Sequence, residues 1–134
     1  DRAALEALSL CCDLAWIVGN HDAEGPKTLP GEILEDLAHG ALILRHEPTP
    51  DAAPGEVAGH LHPCARVVGK GASVRRRCFV TDGERLILPA FGAYAGGLNV
   101  RDAAYFGLFV RPPLTVVLGQ SRALPVAWSK LVGD

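Results

Sequence analysis

Leu14-Ala15-Trp16-Ile17-Val18-Gly19-Asn20-His21-Asp22 is an apolar run that breaks abruptly into a polar turn. Strand-forming residues ending in a Gly-Asn turn read as a buried β-strand that delivers a polar loop at its C-terminal end. The same figure recurs twice. Ala41-Leu42-Ile43-Leu44 runs into Arg45-His46-Glu47-Pro48, and Glu56-Val57-Ala58 runs into Gly59-His60-Leu61-His62-Pro63. In an open sheet, ligands collect outside the carboxyl ends of the strands, so the three clusters are expected to converge. They hold four of the five histidines; His39 stands outside them.

Around these strands the pattern predicts a mixed α/β protein, a single domain over residues 1–134 with a β-rich C-terminal half. Asp1 to about Cys12 has an apolar helical spacing through Leu5 and Leu8. Ala23–Pro30 is loop. Gly31–Ala38 has the apolar face of a short helix in Ile33, Leu34 and Leu37, which leaves His39 at a helix C-terminus. Thr49–Gly55 is a Pro-bearing surface connection. Ala65–Gly69, Val74–Thr81 and Arg85–Pro89 read as strands, joined by the hairpin signals Gly69-Lys70-Gly71 and Asp82-Gly83-Glu84. Phe91–Asn99 is a Gly-rich loop, and Leu114–Leu118 with Leu124–Ala127 makes a final hairpin.

Composition bounds the function. The 134 residues are 49% hydrophobic and 21% charged, which supports a packed core and argues against disorder. A net charge of −2 does not advertise non-specific nucleic-acid binding. No stretch approaches the roughly 20 apolar residues of a membrane helix, and no signal-peptide pattern is visible. Cys11, Cys12, Cys64 and Cys78 lack metal-pair spacing and read as reduced thiols of a cytoplasmic protein. The chain has no Met and opens with residues that read as the inside of a helix. A segment of a longer polypeptide is the expectation.

Each cluster also has a plain reading. Asn20 after Gly19 suits a tight turn. His46, between Arg45 and Glu47, suits a solvated loop. His60 and His62, two apart, face the same side of an extended segment, as a metal-binding pair or as one strand face. Arg75-Arg76-Arg77 reads first as a solvated strand face, with nucleic-acid backbone contact as the sharper alternative. Gly92–Gly97 reads as a glycine-rich turn or as a loop that stacks Tyr94 on a base or sugar.

Taken together, Gly19-Asn20-His21-Asp22 resembles the GNHD motif of calcineurin-like metallophosphoesterases, and Gly59-His60-Leu61-His62 resembles their GHxH motif. His46 fits the isolated metal-binding histidine between them. The stretches around His46 and His60-Leu61-His62-Pro63, with Leu88-Pro89-Ala90-Phe91-Gly92, resemble the ligase-associated DNA-damage-response branch. The resemblance covers about Trp16 to Val100. It implies the C-terminal part of an αββα sandwich, in which Asn20, His46 and His60 ligate one metal ion and His62 the other, with manganese the expected metal. It implies that His21 is the catalytic acid, that Asp22 fixes its tautomer, and that a hydroxide bridging two ions attacks phosphorus. A DNA ligase or helicase partner, and a DNA substrate, are further implications.

Two family motifs, Asp-x-His and Gly-Asp, have no counterpart before Trp16. Asp13 is not preceded by Gly and sits at a helix end. Asn20 and neutral His46, His60 and His62 offset none of the four positive charges of two divalent ions, and hard ions favour oxygen ligands. The expectation is that this chain alone holds at most one ion weakly, is inactive alone, and leaves an apolar sheet face uncovered. The leading function is a metal-dependent phosphodiesterase or endonuclease acting on DNA in repair. A small-molecule phosphatase or nucleotide phosphodiesterase, and a non-catalytic partner-binding module with a degenerate metal site, are the alternatives.

Overall fold

The structure, a computed structural model, describes residues 2–69 and 71–134. Asp1, where the predicted helix starts, and Lys70, at the centre of the predicted Gly69–Gly71 turn, lie outside the described residues. The chain folds as α1 (Arg2–Ser9), β1 (Ala15–Ile17), β2 (Glu32–Leu34), β3 (Asp36–His39), β4 (Leu42–Arg45), β5 (Glu56–Ala58), β6 (Cys64–Gly69), β7 (Ala72–Thr81), β8 (Arg85–Ile87), β9 (Leu114–Leu118), β10 (Ala123–Ala127) and β11 (Leu131–Val132). The result is mixed α/β, with a large mixed sheet and a single α-helix among the described residues. That helix is too short to cross a membrane.

β7 organises the sheet. Its first half pairs antiparallel with β6, from Cys64↔Arg77 to Gly69↔Ala72. Its last four residues pair with β9 instead, and Val80 and Thr81 also pair with β8. One long strand therefore serves two layers, and the core forms where they face each other. Ala65, Cys78, Val80, Ile87 and Val100 are fully buried there. Burial, and then the adjacent Cys64, push the Cys78 thiol up to about 12, so it is an inert packing residue. From β8 the sheet continues through β5 and β4, all parallel, to β3 at the edge.

The N-terminal third departs from expectation in two ways. Gly31–Ala38 is not a helix: β2 pairs parallel with β1, and β3 pairs antiparallel with β4 across a turn at Gly40. Gly31 has φ +127, outside any helical conformation, and the N–H of Glu32 donates to Leu14 O at 2.8 Å. Strand pairing to distant residues outweighs the local apolar spacing. His39 accordingly ends a strand rather than a helix. The second departure is burial. β1 and β4, expected as buried strands, are only half-buried, and Ile33 and Leu42 are 46% and 45% exposed. Both side chains are thus only partly covered, each on its own sheet.

At the start of β5, Glu56 is 2% exposed and sits between two arginines. Arg85 Nε lies 2.7 Å from Glu56 Oε2, a close ion pair without the alignment of a hydrogen bond. Arg45 Nη1 lies 3.6 Å from Oε1, which also accepts from Thr49 N at 2.9 Å. Arg45 pairs in turn with Asp36 at 2.7 Å, and both arginines bond to Thr49. This chain of alternating charges fixes the connection that leaves β4 at Arg45 and Thr49, on either side of His46.

Candidate metal-binding site

Because β4 and β5 are parallel, with Arg45 opposite Ala58, His46 and Gly59 emerge side by side from one sheet edge. The N–H of Gly59 donates to His46 O at 2.9 Å and locks the two exits together. β1 belongs to a separate two-stranded sheet with β2, yet its tip arrives at the same place. There Asp22 N–H donates to Gly19 O at 3.0 Å, closing a turn with Asn20 and His21 at its corners. A Cβ on Gly19 would sit 2.6 Å from the His46 ring, so any larger residue there must push the ring aside.

Three side chains meet. His46 Nε2 lies 2.8 Å from Asn20 Oδ1 and 3.1 Å from His60 Nδ1. The two rings are edge-to-face, with centroids 5.0 Å apart. Adjacent ligands of an octahedral ion at about 2.1 Å lie about 3.0 Å from each other. The spacing of this amide oxygen and two imidazole nitrogens fits that edge length. Among the described residues, no three His, Cys, Asp or Glu side chains meet as a metal-binding group; the convergence here is two imidazoles and one amide.

His60 and His62 do not lie on an extended segment. Both adopt left-handed backbone, at φ 59 and φ 48, with Leu61 N bonded to Gly59 O at 2.7 Å. Such conformations cost about 1–3 kcal/mol each and persist where surrounding structure imposes them. Here Leu61 packs against the core between the two histidines, and its carbonyl accepts from Leu98 N at 3.2 Å and Tyr105 Oη at 3.4 Å. His62 makes no hydrogen bond to the other site side chains. It and His21 act on His46 only through space. Asn20, His21 and Asp22 are exposed, and no hydrogen bond joins His21 to Asp22.

The His46 pKa is lowered from its ordinary value, first by burial, then by repulsion from His60, with smaller contributions from His62 and His21; Glu47 pulls the other way. The neutral form of His46, which has a lone pair to donate, is thereby favoured. The folded state binds this proton less tightly than the unfolded chain, so stability is fully present above the unfolded value of about 6.5 and falls with pH through the lower folded value. Urea midpoints taken between about pH 7 and pH 5 are expected to drop less in His46→Ala than in the parent. Equal slopes would show that His46 does not contribute.

Two contributors were not legible in the residue pattern. Glu47 Oε1 lies 3.8 Å from His60 Nε2, on the ring edge away from the convergence; this is beyond hydrogen-bond distance, but the negative charge there favours a proton on Nε2. The other is Arg77, read as part of a solvated strand face. It is half-buried, and its guanidinium donates to the carbonyls of Ala90, Phe91, Gly92, Ala93 and Ala95. Arg75 Nη2 donates to Gly97 O at 2.7 Å. The Gly-rich loop is therefore held from below, and Gly97 packs directly against the main chain of His62 and the Cys64 thiol.

No protein-family model and no curated protein matches the chain. Among solved structures, the fold is similar to the crystal structure of a nuclease from Pseudomonas putida, nuclease MPE. The TM-score is 0.69 at 26% identity, over 93% of this chain and 59% of that one. The chain thus spans less than two thirds of the length of that protein.

Proposed function

We propose that this chain forms part of a metal-dependent phosphodiesterase that cleaves nucleic acid, a DNA endonuclease in the leading form. The observation that carries the reading is the meeting of Asn20, His46 and His60 at three strand tips, on a fold similar to that of a nuclease. These three side chains would hold one divalent ion, manganese by preference, and His62 would serve a second. The ions, when bound, supply Lewis-acid stabilisation of the phosphoryl oxygens and a water of lowered pKa. His21, exposed at the corner of its turn, would give its proton to the leaving oxygen, worth about 10²–10⁴ in rate. Glu47 would keep His60 in the tautomer that points Nδ1 into the site.

All the proposed ligands are neutral, and two divalent ions need carboxylates between them. In this reading those carboxylates come from outside the described residues. The test is hydrolysis of bis-p-nitrophenyl phosphate with manganese, by this chain alone and by the chain joined to a segment bearing Asp-x-His and Gly-Asp motifs. Turnover is expected only from the joined form. Equal turnover by the chain alone would remove the carboxylate argument, and no turnover by either would remove the phosphodiesterase reading.

Gly19→Ala separates the site from the fold. The added methyl displaces the His46 ring rather than a core side chain, so manganese affinity is expected to fall about 10- to 100-fold, as when a supporting group is lost. The urea midpoint should stay close to that of the parent. Unchanged affinity by calorimetry would mean that the ring position does not matter for binding.

A further inference from the structure

Phe91 and Tyr94 are 104% and 102% exposed, as open to water as free side chains. Large aromatics in full solvent on a loose loop would be unremarkable, but this loop is not loose. Arg77 gathers its carbonyls and Arg75 takes the last one, so both rings stand on backbone fastened from beneath. Beside them lies a cleft of about 410 Å³ lined by Arg75, Arg76, Arg77, Ala95, Gly96 and Leu118, with Cys64 at its base. Carbonyls satisfy the guanidinium N–H groups without neutralising their charge. Among the described residues the one carboxylate in contact is Asp134, 3.3 Å from Arg75 Nε. Among the described residues Arg76 and Arg77 have no acidic partner. Fixed aromatic faces next to uncompensated positive charge, on a loop that packs against His62, form a surface with a definite chemical preference.

We propose that the Phe91–Gly97 loop and the Arg75–Arg77 cleft are a platform for single-stranded DNA, which stacks bases on Phe91 and Tyr94 and draws phosphates to Arg76 and Arg77. It rests on the phosphodiesterase reading and names how that site would hold its strand. The strand is single because an exposed ring can stack only on a base that has left its helix. It is DNA because the platform serves the phosphodiesterase reading, whose leading form is a DNA endonuclease. The platform explains how a chain of net charge −2 holds a polyanion: the basic charge is local.

The experiment is fluorescence anisotropy of a labelled oligothymidylate with EDTA present, so that binding is read without cleavage. Phe91→Ala and Tyr94→Ala are each expected to weaken binding roughly 5- to 150-fold, the range for loss of one stacked base, while Tyr94→Phe binds as the parent does. Arg76→Ala should lower the slope of log affinity against log salt by about 0.7. Oligouridylate and duplex DNA should bind more weakly. Alanine variants that bind like the parent would overturn the platform, and equal affinity for oligouridylate would overturn the commitment to DNA. Strand binding through these side chains, in a protein that fails the turnover test, would remove the phosphodiesterase reading and leave the platform. Turnover without strand binding would do the reverse.

Discussion

His46→Ala is expected to abolish manganese binding at the site and, in the form supplied with carboxylates, to abolish phosphodiester turnover with it. His46 is the shared member of both close contacts, 2.8 Å from Asn20 Oδ1 and 3.1 Å from His60 Nδ1. Without it, Asn20 and His60 retain no common partner. Loss of an outer-shell group costs about 10- to 100-fold in metal affinity, and loss of a direct ligand costs more. The substitution should spare the fold, because the link between β4 and β5 uses the His46 carbonyl rather than its ring. Calorimetric titration with manganese, beside circular dichroism, reads the two effects separately. Glu47→Gln should give a smaller loss, since its carboxylate stands 3.8 Å from His60 Nε2 and is largely exposed. A His46→Ala protein that binds manganese like the parent would sink the site.

Glu56→Ala is expected to have the largest effect on stability, about 3–5 kcal/mol, the usual consequence of removing one partner from a buried ion pair. The cost comes from what is left behind. Arg85 is 6% exposed and would keep its charge with no carboxylate beside it. Arg45 would retain Asp36, at 2.7 Å, so its loss is smaller. Arg85 Nη1 and Arg45 Nε already lack hydrogen-bond partners, so the pocket has no spare acceptor to offer. The double change Glu56→Leu with Arg85→Leu should recover much of the loss, since replacing both charges by apolar groups is often neutral or stabilising. Urea melts of the three proteins check this. A single variant within about 1 kcal/mol of the parent would show the network to be slack. Manganese affinity should also fall in Glu56→Ala, because Arg45 and the bonds to Thr49 bracket His46.

Much of the site was written locally. A strand of apolar residues followed by Gly-Asn, or by Gly-His, needs only neighbouring residues to be read, and β5 and β9 have the bounds that their residues suggest. Apolar alternation and glycine turns are short-range signals, and the second half of the chain, where they are strong, forms the strands they indicate with shifted ends, and adds β11. The similarity to a nuclease fold supports the architecture that the strand-tip pattern implied.

The sequence by itself determined where an amide and three imidazoles stand, on turns after strands, with His21 beside them. It also determined that none of these side chains carries a negative charge, so they cannot by themselves balance two divalent ions. Only the tertiary structure decided that Gly31–Ala38 extends as two strands, that His60 and His62 are forced into left-handed backbone around Leu61, and that Arg77 fastens a loop thirteen to eighteen residues further along the chain. The physical reason is common to all three. Each conformation is chosen by hydrogen-bond partners and packing outside the segment itself, which its own propensity does not encode.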